Sequence, residues 1–238
     1  MVSPGEVRAV LFDAAGTLIE TREAVGEIYT RMARDHGVEL PAWRVDDAFR
    51  RIFQQTAPRD PSAAAPAETD RRERAWWRGV VRSTFLAADS TARFSDFDAF
   101  FDALYQAFAG REIWRRRPGA RCALRGLRAR GIATGVVSNF DRRLPAVLAG
   151  LGLSPLLDTV VLPSDAGVMK PDPGIFVLAL ERLGISAAHS VFVGDQAVPD
   201  IAGARAAGLR AIDVGSLATL CELPDRLGDL LPIDPESP

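Results

Sequence analysis

Histidine and cysteine are nearly absent from these 238 residues, at two each, and tyrosine is as scarce. Cys122 and Cys221 stand in unrelated segments without a CxxC pattern or a neighbouring histidine, and His36 and His189 are equally isolated. That argues against a zinc site and against a Cys/His nucleophile. No apolar run reaches the roughly 18 residues that a membrane span needs. Neither charge is in excess: 29 basic against 31 acidic side chains leave −2, with a sequence pI of about 5.8. No global field therefore draws nucleic acid or an anionic membrane, and the expected partner is a small molecule. The start, MVSPGEVRAVLF, has neither the basic region nor the cleavage site of a secretory leader, so a cytoplasmic location is expected. Lysine occurs once, at Lys170; every other basic residue is arginine. Base composition is the ordinary account of that skew, but it does not say why one lysine stays.

What the chain does have is a recurrence of short, β-rich apolar runs: Val7 to Phe12, Ile132 to Val137, Thr159 to Leu162, Ser190 to Val193 and Arg210 to Val214. Most are apolar on both alternating faces, as parallel strands covered by helices on each side require. Between the later four lie helical stretches near 142–150, 173–183 and 199–208, closing near Gly152, Gly184 and Gly208, residues able to cap them. The alternation predicts an open, doubly wound α/β core with a parallel sheet. About 120 residues separate Phe12 from Ile132, where a βαβ crossover needs only some 30, so a domain is inserted there. Within it Val25, Ile28, Tyr29 and Met32 share a helical face, as do Trp77, Val80, Val81 and Phe85, and again Phe97, Phe100, Phe101 and Leu104. Ser95 with Asp98 reads as an acidic variant of a capping box. The expected division is a core of residues 1–19 and 113–238 and a helical cap of residues 20–112. Residues 57–70, with no apolar side chain larger than alanine, are expected to form a mobile loop. A monomer or a homodimer is expected.

Ligands of an open parallel sheet gather beyond the carboxyl ends of its strands. Asp13 follows the first strand, in Asp13-Ala14-Ala15-Gly16-Thr17. Ser138 and Asn139 follow the second, ahead of a helix whose N-terminus presents free N–H groups. Lys170 comes after the third, and Gly194-Asp195 with Asp200 after the fourth. Carboxylates, one ammonium, a hydroxyl and a helix N-terminus converge, which is equipment for phosphoryl transfer or a related displacement. A carboxylate can attack phosphorus if cations offset its repulsion for phosphate, and Lys170 and a metal ion supply them. Asp13, Asp195 and Asp200 suit Mg2+, and Ser138 with its neighbouring amides suits the phosphate oxygens.

These motifs resemble the haloacid dehalogenase superfamily: Phe12-Asp13-Ala14-Ala15-Gly16-Thr17, Val137-Ser138-Asn139, Lys170-Pro171-Asp172-Pro173 and Gly194-Asp195 through Asp200. A helical insertion between the first two looks like subfamily IA with a C1 cap. Val25-Gly26-Glu27-Ile28-Tyr29, Trp76-Trp77 and Ser138 through Leu144 look more narrowly like the haloacid dehalogenase-like hydrolase domain-containing protein 3 group. The resemblance implies a Rossmannoid core and a hydrolase of small phosphorylated metabolites. It makes Asp13 the nucleophile, carried through an aspartyl-phosphate. Ser138, Asn139 and Lys170 would bind the phosphoryl group, and Mg2+ would rest on Asp13, the Ala15 carbonyl and Asp195, with Asp200 in support. One departure matters: the family's phosphatases usually carry an acid/base Asp two residues after the nucleophile, and here it is Ala15. A methyl transfers no proton, so the chain forgoes a contribution of about 10² to 10⁴ in rate. Five readings compete. A haloacid dehalogenase needs no acid but lacks the G-D-x4-D acids present here. A phosphonatase needs a cap lysine, and the cap has none. A phosphomutase needs the missing acid. What remains is a Mg2+-dependent phosphatase weakened or limited to good leaving groups, or an impaired relative used for binding or regulation.

Other features have ordinary explanations. Arg71-Arg72-Glu73-Arg74 and Arg115-Arg116-Arg117 read as solvated helix faces. One or both of Trp76 and Trp77 read as core, Cys122 reads as a buried thiol on a helix, and His36 before Gly37 suits a helix C-terminus. Asp141 is open between a helix cap and a site residue.

Overall fold

A computed structural model gives the structure of the protein, describing residues 6–62 and 65–227. In chain order the elements are β1 (Ala9–Phe12), β2 (Ile19–Thr21), α1 (Val25–Arg34), α2 (Ala42–Gln55), α3 (Pro66–Ala88), α4 (Phe97–Ala107), β3 (Trp114–Arg116) and α5 (Ala120–Ala129). They continue with β4 (Ala133–Val137), α6 (Leu144–Gly150), β5 (Thr159–Val161), α7 (Pro163–Ala166), α8 (Pro173–Leu183), β6 (Ser190–Gly194), α9 (Gly203–Ala206), β7 (Arg210–Asp213) and α10 (Leu223–Arg226). The described residues form two compact units. The first holds those up to Glu20, Pro61 and Ser62, and those from Arg116 on; the second holds Thr21–Asp60 and the described residues up to Arg115.

The five expected strands are present and form one parallel sheet in the order β5-β4-β1-β6-β7. β1 is its centre because Ala9, Val10, Leu11 and Phe12 are all fully buried, apolar on both faces as only a central strand tolerates. Its register decides where the chemistry lies: Phe12 sits beside Val136 of β4 and Val193 of β6, so three strands end level with one another. On one face Leu11, Val137, Val161 and Phe192 pack with Ile175, Phe176 and Ala179 of α8 and with Ala204 of α9. Phe176 meets Phe192 edge to face at 5.0 Å. Each such buried aromatic contributes about 1.5–3 kcal/mol relative to exposure.

Helix ends follow the glycines in part. Gly184 caps α8 in the left-handed conformation, as expected. The stretch expected as one helix over 199–208 is instead a π-helical turn, Ala197–Ala202, followed by the short α9. Pro199 inside it has no N–H to give to a regular helix. β2 and β3, three residues each, pair in a small second sheet that the sequence pattern did not announce.

In the helical unit Tyr29 is the hub, meeting Phe49 at 5.6 Å, Phe85 at 6.1 Å and Phe108 at 6.0 Å. The arginines of α3 are not simply solvated. Arg74 stacks over Phe101 and Tyr105 and pairs with Asp102; Arg78 stacks over Phe97 and pairs with Asp98. One helix turn apart, they stitch α3 to α4. The capping box also resolves differently: Asp96 is the N-cap of α4, accepting from the Ala99 amide, while Ser95 donates to the His36 carbonyl. The expected mobile loop is shorter than 57–70, since α3 starts at Pro66, a residue pre-set for a first helical position. Trp76 donates its indole N–H to the Ala57 carbonyl at 2.9 Å, tying the loop down. Trp76 and Trp77 are half-buried against each other and Phe53 rather than core.

The reading of Cys122 as a free buried thiol is corrected. Cys122 on α5 is bonded to Cys221, 99 residues later, with Cα atoms 5.3 Å apart. The connection fixes the segment after β7 to α5, where Arg130 also pairs with Asp225 and donates to the Pro224 carbonyl. Among the described residues no helix is long and apolar enough to cross a membrane.

Candidate active site

Asp13 is the residue that β1 delivers past the sheet edge. Its amide donates to the Val193 carbonyl at 2.9 Å, extending the ladder by one step and holding the side chain over the strand ends. Ser138 leaves β4 in the same way, its amide donating to the Val161 carbonyl at 3.2 Å, and its hydroxyl donates to Asp13 Oδ1 at 3.0 Å. Lys170 Nζ lies 2.6 Å from the same Oδ1 and 2.5 Å from Asp200 Oδ1. All four are buried. Phe192 lies beneath the ammonium, 5.2 Å from ring centre to Nζ, so the cation is stabilised from below as well.

Both oxygens of Asp200 are engaged. Its Oδ1 takes Lys170, and its Oδ2 accepts from the amides of Asp195 and Gln196, both at 3.0 Å. It closes the loop after β6 and props Lys170. The close approach requires Gly194, where a Cβ would fall 2.5 Å from Asp200 Cβ. Asp195 is the exposed member of the three carboxylates, and it lies against the loop after β1: a Cβ on Gly16 would fall 2.4 Å from its Oδ2. Gly16 also has φ +96°, a conformation that side chains disfavour. In that loop Ala14's carbonyl receives the amides of Thr17, Leu18 and Ile19, and none of the loop's backbone hydrogen bonds ends on the carbonyl of Ala15.

Asn139 and Asp141 both turn their side chains to partners within the protein. Asn139, expected at the phosphoryl group, turns its side-chain amide to the backbone of Lys170, donating to its carbonyl at 2.9 Å and accepting from its amide at 2.8 Å. Asp141 lies in the turn before α6, whose N-cap is Arg143; it accepts from the Arg143 amide and holds the Arg143 guanidinium at 2.6 Å. Arg117, expected on a solvated face, donates to the Gly16 carbonyl, and its own amide donates to the Leu18 carbonyl. Nothing local in an arginine triplet distinguishes that one.

The electrostatics are those of too many carboxylates for one ammonium. Burial pushes Asp13 above the usual carboxylate range, Lys170 pulls it down and the Asp200 charge raises it again. Asp195 is pushed up to about 6, first by loss of hydration and then by the charges of Asp13 and Asp200. One oxygen from each of Asp13, Asp195 and Asp200 lies within 4.8 Å of the others. Such a set of hard oxygen donors, under-neutralised by a single lysine, fits a hard divalent cation.

The profile of the haloacid dehalogenase-like hydrolases matches residues 7–208. The chain is 39% identical over 206 residues to haloacid dehalogenase-like hydrolase domain-containing protein 3 of Danio rerio, spanning 86% of this chain and 83% of that one. It is 32% identical over 202 residues to a plasmid phosphoglycolate phosphatase of Cupriavidus necator, spanning 84% and 78%. A solved HAD phosphatase from Thermococcus onnurineus shares the fold with a TM-score of 0.64 at 23% identity, covering 93% of this chain and 98% of that one. A parallel sheet centred on β1, a carboxylate at its edge held by the one lysine, and a match across most of the chain lead to one conclusion: the chain belongs to the haloacid dehalogenase-like hydrolase family.

Proposed function

We propose that the protein is a Mg2+-dependent phosphatase of small phosphorylated metabolites, working through an aspartyl-phosphate on Asp13 and limited to esters whose leaving groups need no proton. The observation that carries it is the shared hold on Asp13: Ser138 and Lys170 both bind its Oδ1, which sets Oδ2 apart as the oxygen to attack phosphorus. As the new O–P bond forms, the bond to the leaving group breaks and its electron pair departs on that oxygen. Ala15 has no proton to give, so the oxygen must leave as a stable anion, as it does from aryl and acyl phosphates. Water then attacks the phosphorus of the acyl phosphate, releases inorganic phosphate, gives up its proton to solvent and restores the carboxylate. Lys170 neutralises charge on Asp13 throughout, and Asp200 keeps the ammonium in place. Asp13, Asp195 and the Ala15 carbonyl would hold the metal, with Asp200 in support because its own oxygens are committed. When bound, the ion supplies positive charge that offsets the repulsion between carboxylates and phosphate. The relative described as a phosphoglycolate phosphatase supports phosphate-ester chemistry.

The methyl of Ala15 also favours a second reading, a phosphometabolite-binding protein without turnover. Both are tested by a panel of acyl, aryl and alkyl phosphates with Mg2+ and with EDTA, beside 2-haloacids. Hydrolysis of p-nitrophenyl and acyl phosphates, lost in EDTA and in Asp13→Asn, is the expected result. Tight binding without turnover supports the second reading, and halide release without metal sinks both.

A further inference from the structure

We infer that Asn139 is a positioning residue that sets the Lys170 ammonium between Asp13 and Asp200; what the ammonium then does rests on the phosphatase reading. A lysine side chain has four rotatable bonds and gains a fixed tip only if its root is fixed. Here one primary amide grips both polar groups of the Lys170 backbone, carbonyl at 2.9 Å and N–H at 2.8 Å, as a neighbouring strand would. The residue before it, Ser138, holds the other half of the ion pair, donating to Asp13 Oδ1 at 3.0 Å. One dipeptide at the end of β4 therefore orients both members of the pair, Ser138 through a side chain and Asn139 through a backbone 31 residues away. Both polar ends of the Asn139 side-chain amide engage the Lys170 backbone, so the side chain acts through that residue. Glutamine in its place is one methylene too long for the same two bonds, and alanine makes neither.

Because Lys170 is the only lysine, 15N-lysine labelling yields a single backbone amide signal, and trinitrobenzenesulfonate has a single side-chain amine to find. In Asn139→Ala the Lys170 amide should exchange with solvent at least about tenfold faster, its bond to Oδ1 being gone. The ammonium should react several-fold faster, and orthovanadate affinity should fall about tenfold, the scale of one or two lost hydrogen bonds. Asn139→Asp keeps the acceptor but loses the donor, so amide protection should largely return while vanadate affinity stays low. Unchanged exchange and amine reactivity in Asn139→Ala overturn the inference, as does a vanadate affinity that holds while the other two change. If the alanine variant does not fold, the aspartate variant decides by whether its Lys170 amide is protected. Wild type that neither binds vanadate nor hydrolyses p-nitrophenyl phosphate defeats the phosphatase reading instead, and the exchange and amine measurements still judge Asn139.

Discussion

On the phosphatase reading proposed above, Ala15 is the residue on which the chemistry turns, since the family resemblance puts a proton donor at its position and the chain has only a methyl. Replacing it should be informative in one direction. Ala15→Asp is expected to raise turnover of alkyl phosphates by up to about 10², with aryl and acyl phosphates changing far less, because only the former need a proton on the leaving oxygen. A well-folded Ala15→Asp protein that binds metal yet hydrolyses no alkyl ester overturns the idea of a site that lacks only its acid. Asp195 gives a second test at this scale. Its carboxyl titrates at about 6 in the folded protein against 3.8 ordinarily, so between those values the folded state holds more protons than the unfolded one. Stability of the metal-free protein therefore falls as pH rises from about 4 to 6, relative to Asp195→Asn, which cannot titrate. Mg2+ should remove that loss, and its apparent affinity should weaken as pH drops below 6. Melting curves of both proteins across that range, with EDTA and with Mg2+, check the sign; a wild type that gains on Asp195→Asn between pH 4 and 6 in EDTA contradicts it.

At the scale of elements, the strand ends do most of the positioning, and Gly194 at the end of β6 is the tightest point. Gly194→Ala puts a methyl 2.5 Å from Asp200 Cβ, so Asp200 must move, and with it the amides of Asp195 and Gln196 and the support of Lys170. A stability loss of about 1–3 kcal/mol and a large drop in phosphate-ester turnover are expected, read by urea unfolding and by activity. Unaltered stability would mean that the loop has room the geometry denies. The same scale shows what the sequence could reveal. β1, β4, β5 and β6 were legible because their runs are largely apolar on both faces, and β7 because it continues the alternation of strand and helix; Asp13, Ser138 and Asp195 followed from standing directly past strand ends, and Lys170 and Asp200 from the loops beyond them. β2 and β3 were not, since three residues carry no usable period, and the start of α3 hid behind alanines and charges that no core demanded. The side-chain partner of Asn139 was not legible, because it is a backbone, and backbones leave no trace in composition. The bond between Cys122 and Cys221 was invisible for a similar reason, because nothing local links residues 99 apart.

For the whole molecule, that bond is the long-range fastening of the first unit. It closes a loop containing β4, β5, β6 and β7, all the sheet except its central strand. Cross-linking a loop of about 100 residues stabilises by up to about 4–5 kcal/mol, chiefly by restricting the unfolded chain. Cys122→Ser, or reduction of the wild type, should lower the urea midpoint accordingly while leaving phosphate-ester turnover nearly unchanged, since neither cysteine approaches Asp13 in the hydrogen-bond network described. Equal midpoints for the oxidised protein and Cys122→Ser would show the fastening to be idle.

The loop has one more consequence, for a chain that is cut. A protease that severs the connection between α8 and β6, near Ile185–Ala188, separates Asp13, Ser138 and Lys170 from Asp195 and Asp200 as covalent sequence. The two pieces still share the Cys122–Cys221 bond, one cysteine on each. Nicked molecules would therefore run as one mass until reduced, and both halves of the site would stay in a single particle.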